Sequence, residues 1–284
     1  ITEDTALKLR AEDERRTKNV DISMFIRDLP NQKDTVSFST EDASGSTSQA
    51  AAIIEAMEAG GRTFLMDEDT SATNFMVRDE LMQQVIAREK EPITPFLERA
   101  RDLYEKAGIS SILVVGSCGS YFYIADTILQ MDCYRPFDIT ASTKEICSRY
   151  PAPSTKAPDF RLPSSGRRTP ISSSRGEHSR HPGRRGSVSR EHEKIKLLGR
   201  DAFSVGRSAV ELRYVEQLHD AEQTAALAYL LRYLQEEYGP QIEPAKVLPD
   251  LYRLIQEEGL GCVWKMAYTP SGVGMPRLQE LYAC

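Results

Sequence analysis

The sequence predicts an α/β chain: a partial parallel sheet with flanking helices, then a smaller, mainly helical C-terminal domain. Three observations predict it. Apolar runs at Thr63–Met66 and Ile109–Val115 are too short for helices, and Gly61, Gly108 and Gly116 punctuate them. Helix-patterned segments lie before and between these runs, which is the rhythm of strand–helix–strand units. Beyond residue 207, Leu, Val and Ala recur at helical spacing as far as Leu234.

Taken in order, Thr5–Arg10 alternates weakly and reads as a strand. Residues 20–30 read as a short helix or turn ended by Pro30, and Val36–Phe38 as a short strand. Thr47–Ala59 is rich in Ala and Ile and reads as a helix closed by Gly60 and Gly61. Thr63–Met66 follows as a buried strand, and Arg78–Glu89 as a helix stopped near Pro92. Thr94 suits an N-cap and Pro95 a first helical position, with Phe96, Leu97, Ala100, Leu103 and Tyr104 on one side and Gly108 at the end. Ile109–Val115 is a further buried strand, and 127–132 one more. Ser208–Glu211 has the form of a capping box opening a helix that carries Leu212, Val215, Leu218 and His219 and stops at Gly239-Pro240. Lys246–Glu258 is a second helix, ended by Gly259.

Between these halves, residues 151–190 hold six Pro, nine Ser and four Gly, too little apolar surface to offset ordering entropy, so disorder is expected there. The expected domains are therefore 1–150, an insertion at 151–192, and 193–284. Charge follows the same division. Residues 151–200 carry 12 Lys/Arg against 4 Asp/Glu, while the whole chain has a net charge of −6, so a basic arm sits on an acidic body. Its Arg167-Arg-Thr-Pro170 and Arg184-Arg-Gly-Ser187 suit basophilic kinases or nucleic-acid phosphates, and a plain solvated linker has the same composition. The five cysteines are odd in number and form no C-x-x-C pair, pointing to a reducing, cytoplasmic setting. No apolar run approaches the roughly 20 residues of a membrane span, and no membrane partner is expected. Ile1 reads as mid-domain sequence, so a longer N-terminus is expected.

The chemistry concentrates at two places. Asp67 and Glu68 end the Thr63–Met66 strand. An Asp there can hold Mg²⁺, and the next carboxylate can deprotonate an attacking water. Twenty residues before Asp67, the stretch Ser44-Gly-Ser-Thr47 opens a helix with hydroxyls and unpaired main-chain N–H groups, an anion-binding composition. Ser71, Ala72 and Asn74 follow the acidic pair, and Gly116-Ser117-Cys118 follows the next strand. A Ser-rich cap and a Gly-rich turn are the structural alternatives for these loops. Cys118 has no adjacent base and is no nucleophile candidate. No G-x-x-x-x-G-K-[ST] loop occurs in the chain.

These residues resemble the predicted ATPases of the ABC class, a soluble group of P-loop NTPases. The resemblance is carried by Lys8–Asp13, Val20–Ile26, Phe38–Ala50, Leu65–Met76, Glu89–Phe96 and Met131–Pro136, with a weaker likeness over 199–284. It implies an ABC-type fold that binds ATP with Mg²⁺ and hydrolyses it without a transporter domain. It assigns Mg²⁺ to Asp67, the general base to Glu68 and the nucleotide clamp to Ser44, Gly45, Ser46 and Thr47. It places Ser71, Ala72 and Asn74 in a loop that touches a facing half, and Ser117 where the family keeps a histidine near the terminal phosphate. The family's phosphate loop would precede Ile1, and its usual acidic residue is replaced by Ser120. A homodimer or full-length partner would then supply the phosphate loop, and this chain by itself is expected to be inactive. The alternative class is an RNA-binding protein that uses the basic arm and the C-terminal domain.

Overall fold

The computed structural model describes residues 3–87, 90–152, 157–163, 194–238, 243–264 and 270–284. The chain divides into two compact units, Ile1–Arg167 and Arg168–Cys284.

In the first unit the order is β1 (Ala6–Leu9), β2 (Arg15–Val20), β3 (Phe38–Ala43), α1 (Gly45–Glu58), β4 (Thr63–Asp67), α2 (Thr73–Met76), α3 (Glu80–Val85), α4 (Phe96–Ala107) and β5 (Ser110–Val114). The hairpin β6 (Leu129–Asp132) and β7 (Arg135–Asp138) and helix α5 (Thr140–Cys147) complete it. The central sheet is parallel, in the order β1-β4-β5. On one face Leu7, Leu9, Phe64 and Met66 join the core with Ala50, Ile53, Ile54 and Leu103. Helix α1 is buried along most of its circumference because Ala and Ile crowd it. It closes at Gly60, whose φ is +75°. Gly61 follows where a Cβ would lie 2.7 Å from Leu7 Cδ1 and 2.8 Å from the Ala56 carbonyl oxygen, so only glycine lets the chain turn into β4.

Several expectations need correction. The strand expected at Val36–Phe38 runs instead from Phe38 to Ala43, because it pairs antiparallel with β2, which sequence patterning missed. The helix expected over Arg78–Glu89 is only Glu80–Val85: Asp79 caps its start, and the Arg78 guanidinium bonds the Met82 and Ile86 carbonyls. Thr94 does not cap α4. Its N–H donates to the Phe25 carbonyl at 2.6 Å, which keeps residues 92–94 extended and makes Pro95 the N-cap. Tyr104 is exposed rather than on the buried side. β5 is an edge strand, not a buried one, with Ile112 55% and Val114 65% exposed. The strand expected at 127–132 lies outside the parallel sheet, in the exposed β6–β7 hairpin.

The insertion lies largely outside the described residues, namely at 153–156 and 164–193. Residues 157–163, where disorder was expected, are described against α4. Buried Arg99 donates to the Pro158 carbonyl at 2.7 Å and to the Met24 carbonyl at 3.1 Å. Phe160 lies under the Arg99 and Lys106 cations.

The second unit contains β8 (Ile195–Leu197), β9 (Ala202–Val205), β10 (Ser208–Glu211), α6 (Ala221–Tyr238), α7 (Pro244–Glu258) and α8 (Leu278–Ala283). Its strands form an antiparallel sheet, β10-β9-β8, which the sequence reading did not foresee beside the helices. The capping box at Ser208–Glu211 is in fact β10, turned back on β9 through Gly206 at φ +60°. Val215 and Leu218 then donate to carbonyls three residues back, so successive turns reproduce the three-residue spacing of a helix. Helix α6 begins only at Ala221, where Asp220 accepts from the Glu222 and Gln223 N–H groups. His219 therefore precedes the helix and is exposed. α6 lays Leu227, Leu230, Leu231 and Leu234 against Phe203 and Val205 of β9. α7 adds Leu248, Leu251 and Ile255 at helical spacing and ends at Gly259, φ +80°. Among the described residues, no helix is long and apolar enough to cross a membrane.

Candidate nucleotide-handling site

The C-terminal end of β4 and the N-terminal end of α1 meet in the first unit. Gln49, fully buried in the first turns of α1, makes the link. Its Nε2 donates to Ser71 Oγ at 2.9 Å, and its Oε1 accepts from Ala72 N at 2.9 Å. Ser71 Oγ in turn donates to the Asp67 carbonyl at 2.8 Å. The approach is close at the helix entrance. A Cβ on Gly45 would lie 3.2 Å from Asp13 Oδ1 and 3.6 Å from Ala72 Cβ. The Ala11 N–H donates to the Thr70 carbonyl at 3.0 Å, which closes the surface from the β1 side.

The hydroxyls at the entrance of α1 lie together. Ser44 Oγ lies 2.9 Å from Thr47 Oγ1 and 3.5 Å from Ser46 Oγ. Ser48, one residue further on, is buried and tied to the Gly45 carbonyl and the Glu12 N–H. The hydroxyls touch one another rather than the carboxylates; the path from α1 to the end of β4 runs through Gln49 and Ser71.

Asp67 caps the short 3₁₀ turn Glu68–Thr70 by accepting from Asp69 N at 3.2 Å. Glu68 points to the loop after β5. Its Oε2 accepts from Gly116 N at 2.8 Å, Ser117 N at 2.9 Å and Cys118 N at 3.4 Å, and its Oε1 accepts from the Ser117 hydroxyl. The Ser117 hydroxyl, and then the loop N–H groups, hold the Glu68 carboxyl below its ordinary range. That loop is anchored from behind by Tyr121, which donates its hydroxyl to the Met76 carbonyl at 2.7 Å. Burial pushes the Tyr121 phenol far above its usual range, so it stays a donor. Asn74 sits exposed on α2, apart from these bonds.

The structure thus links the first turns of α1 to Ser71, Ala72 and the Asp67 carbonyl through Gln49, brings Gly45 close to Ala72, and joins Glu68 to Ser117. Sequence reasoning missed Gln49 and Tyr121. Gln49 carried a signal: a lone amide inside the apolar run of a buried helix needs a polar partner. Among the described residues, no group of three or more His, Cys, Asp or Glu gathers to hold a metal unaided. Mg²⁺ in nucleotide enzymes takes one or two carboxylates plus phosphate oxygens and water. The single Asp67 carboxylate fits that mode, and not a standing all-protein site.

A parallel sheet with flanking helices, an acidic tip on its middle strand and a hydroxyl-rich entrance to the helix before that strand fit an α/β core of the P-loop type. The chain belongs to the ABC ATPase family: the family model described as ABC_ATPase, P-loop domain, matches residues 1–166. Residues 194–284 are similar to a second model, described as MRB1590 C-terminal domain. A search of the curated proteins finds no match.

Proposed function

We propose that this chain supplies the carboxylates and the clamp of an ATP-hydrolysing site in a non-transporter ABC-class protein of the cytoplasm. The observation that supports it is the Gln49 bridge, which ties the helix entrance to the loop after the acidic strand tip. In this reading the hydroxyls of Ser44, Ser46 and Thr47, with close main-chain approach at Gly45, grip the terminal phosphates of ATP held by a facing half. Asp67 holds Mg²⁺, which when bound neutralises charge on the phosphate oxygens. Glu68 orients the attacking water and accepts its proton. Ser71, Ala72 and Asn74 run along the facing half, and Ser117 steers Glu68. The facing half is a full-length partner that carries a phosphate loop.

The test has two arms. The 284-residue chain purified by itself shows no Mg²⁺-dependent ATP hydrolysis above background. Combined with a partner that carries a phosphate loop it hydrolyses ATP, and Glu68→Gln lowers kcat by about 100-fold or more while ATP still binds. Robust turnover by the isolated chain, or full turnover by the Glu68→Gln variant, overturns the reading.

A second reading, nucleic-acid binding, rests on the outer face of the C-terminal sheet. Phe203 and Val205 point to α6, so the row Lys196–Ser204–Ala209 faces away from it. Lys194, Arg200, Arg207 and Arg213 are exposed around that row. Arg200 and Arg213 are paired with Asp201 and Glu211, which leaves Lys194, Lys196 and Arg207 to make phosphate contacts. RNA binding that weakens steeply with salt and drops in a Lys194→Ala/Lys196→Ala variant supports it; unchanged binding removes it.

A further inference from the structure

The loop after β5 aims its main chain at one point. Three successive N–H groups, those of Gly116, Ser117 and Cys118, converge on a single oxygen at 2.8, 2.9 and 3.4 Å. The Ser117 hydroxyl reaches the second oxygen of the same carboxylate. Successive main-chain N–H groups turned inward make a concavity for anions, indifferent to whether the oxygens belong to carbon or phosphorus. The donors lie ahead of the short 3₁₀ turn Gly119–Tyr123, so they are not that turn's free end. Two further facts make the loop a receptor rather than a hinge. Tyr121 fixes it from below, at 3% exposure, through the Met76 carbonyl. Gly116 and Ser117 are exposed, and a Cβ built on Gly116 meets nothing within 4 Å, so a solute oxyanion can reach the loop.

We propose that residues 116–118 form a phosphate-binding receptor whose resident occupant is the Glu68 carboxylate, so that an arriving phosphate oxygen evicts Glu68 and releases it. Two anions cannot share four donors at this range without strong repulsion, so occupancy is exclusive. Both Glu68 oxygens are engaged while it sits in the loop, which makes it a weaker base toward water. Eviction restores that basicity. The identity of the phosphate as the terminal one of ATP rests on the ATPase reading; the receptor rests on the loop geometry alone.

The tethered carboxylate is an intramolecular competitor of about millimolar or higher effective concentration. Removing it therefore strengthens phosphate binding. The experiment follows the ¹⁵N–¹H resonances of Gly116, Ser117 and Cys118 in the purified chain while inorganic phosphate is added, for wild type, Glu68→Ala and Glu68→Gln. Both variants are expected to bind phosphate at least about tenfold more tightly than wild type. The largest shifts should fall on these three amides, and adding Ser117→Ala should weaken the gain severalfold. Glu68→Gln keeps the side-chain volume, so it reports on the loop even where Glu68→Ala does not fold. Titrations with ATP and AMP separate the sources: shifts with ATP beyond those with phosphate and AMP assign a nucleotide-borne terminal phosphate, and equal shifts with ATP and phosphate assign the free ion. A folded variant with no gain in phosphate binding, or with shifts away from 116–118, overturns the proposal. No turnover is read, so this outcome is independent of whether the chain takes part in ATP hydrolysis.

Discussion

Removing the Gln49 amide is the sharpest perturbation of the site. Gln49→Ala deletes two hydrogen bonds of 2.9 Å and leaves the Ala72 N–H without its acceptor. Each net hydrogen bond contributes about 1 kcal/mol, and a stranded part-buried donor costs about 1–3 kcal/mol. Ser71 keeps its bond to the Asp67 carbonyl, so its hydroxyl is not orphaned. The half-buried position of Ala72 admits some water, which puts the sum at about 1.5–3 kcal/mol. The loss is local: it falls on the contact between α1 and residues 71–77, not on the sheet. Amide hydrogen exchange reads it directly. A loss of about 2 kcal/mol speeds exchange of residues 71–77 by about 30-fold, with β4 and the second unit unchanged. Exchange within threefold of wild type in Gln49→Ala, or equal acceleration throughout the first unit, refutes the bridge.

Other outcomes follow from the same geometry. Gly61→Ala drives a methyl against Leu7 Cδ1 and the Ala56 carbonyl oxygen and lowers stability by about 1–3 kcal/mol in urea melts; a neutral result refutes the close approach. The folded-state pKa of Glu68 is depressed, so its contribution to stability is full above the ordinary carboxylate value of 4.5 and is lost as pH falls through the lower folded value. The urea-midpoint gap between wild type and Glu68→Gln therefore narrows from about pH 7 to about pH 3, and a constant gap contradicts the loop bonds. Arg99→Leu frees residues 157–163 from α4, read as new protease cleavage there while the rest of the first unit resists. Deleting residues 164–193 abolishes any salt-dependent nucleic-acid binding carried by the arm and leaves it intact if the C-terminal sheet alone carries it.

The sequence was most readable where a local rule met no competitor. Thr63–Met66 between glycine and carboxylates could only be a short strand, and α1 follows from its Ala/Ile content. Gly108 in the left-handed region ends α4 as its position suggests. Reading failed where a distant partner decided the outcome. The Phe25 carbonyl holds Thr94 out of α4, β2 extends β3 beyond its apolar residues, and β9 claims the segment that looks like a cap. In the site, residue types gave the acidic tip and the hydroxyl cluster. What links α1 to the end of β4, the amide of Gln49, and what anchors the loop after β5, the phenol of Tyr121, are set by tertiary placement and leave only a faint mark as polar atoms among apolar neighbours.

The outermost strand β5 leaves a row of main-chain hydrogen-bonding groups beside the solvent-facing methyls of Ile112 and Val114. Such a border recruits another strand by backbone pairing, and so gives the purified polypeptide a concentration-dependent stickiness that salt does not cure. A lysine in place of Ile112 should keep concentrated samples clear, because a charge on that border deters lateral docking without altering residues 44–49 or 67–72.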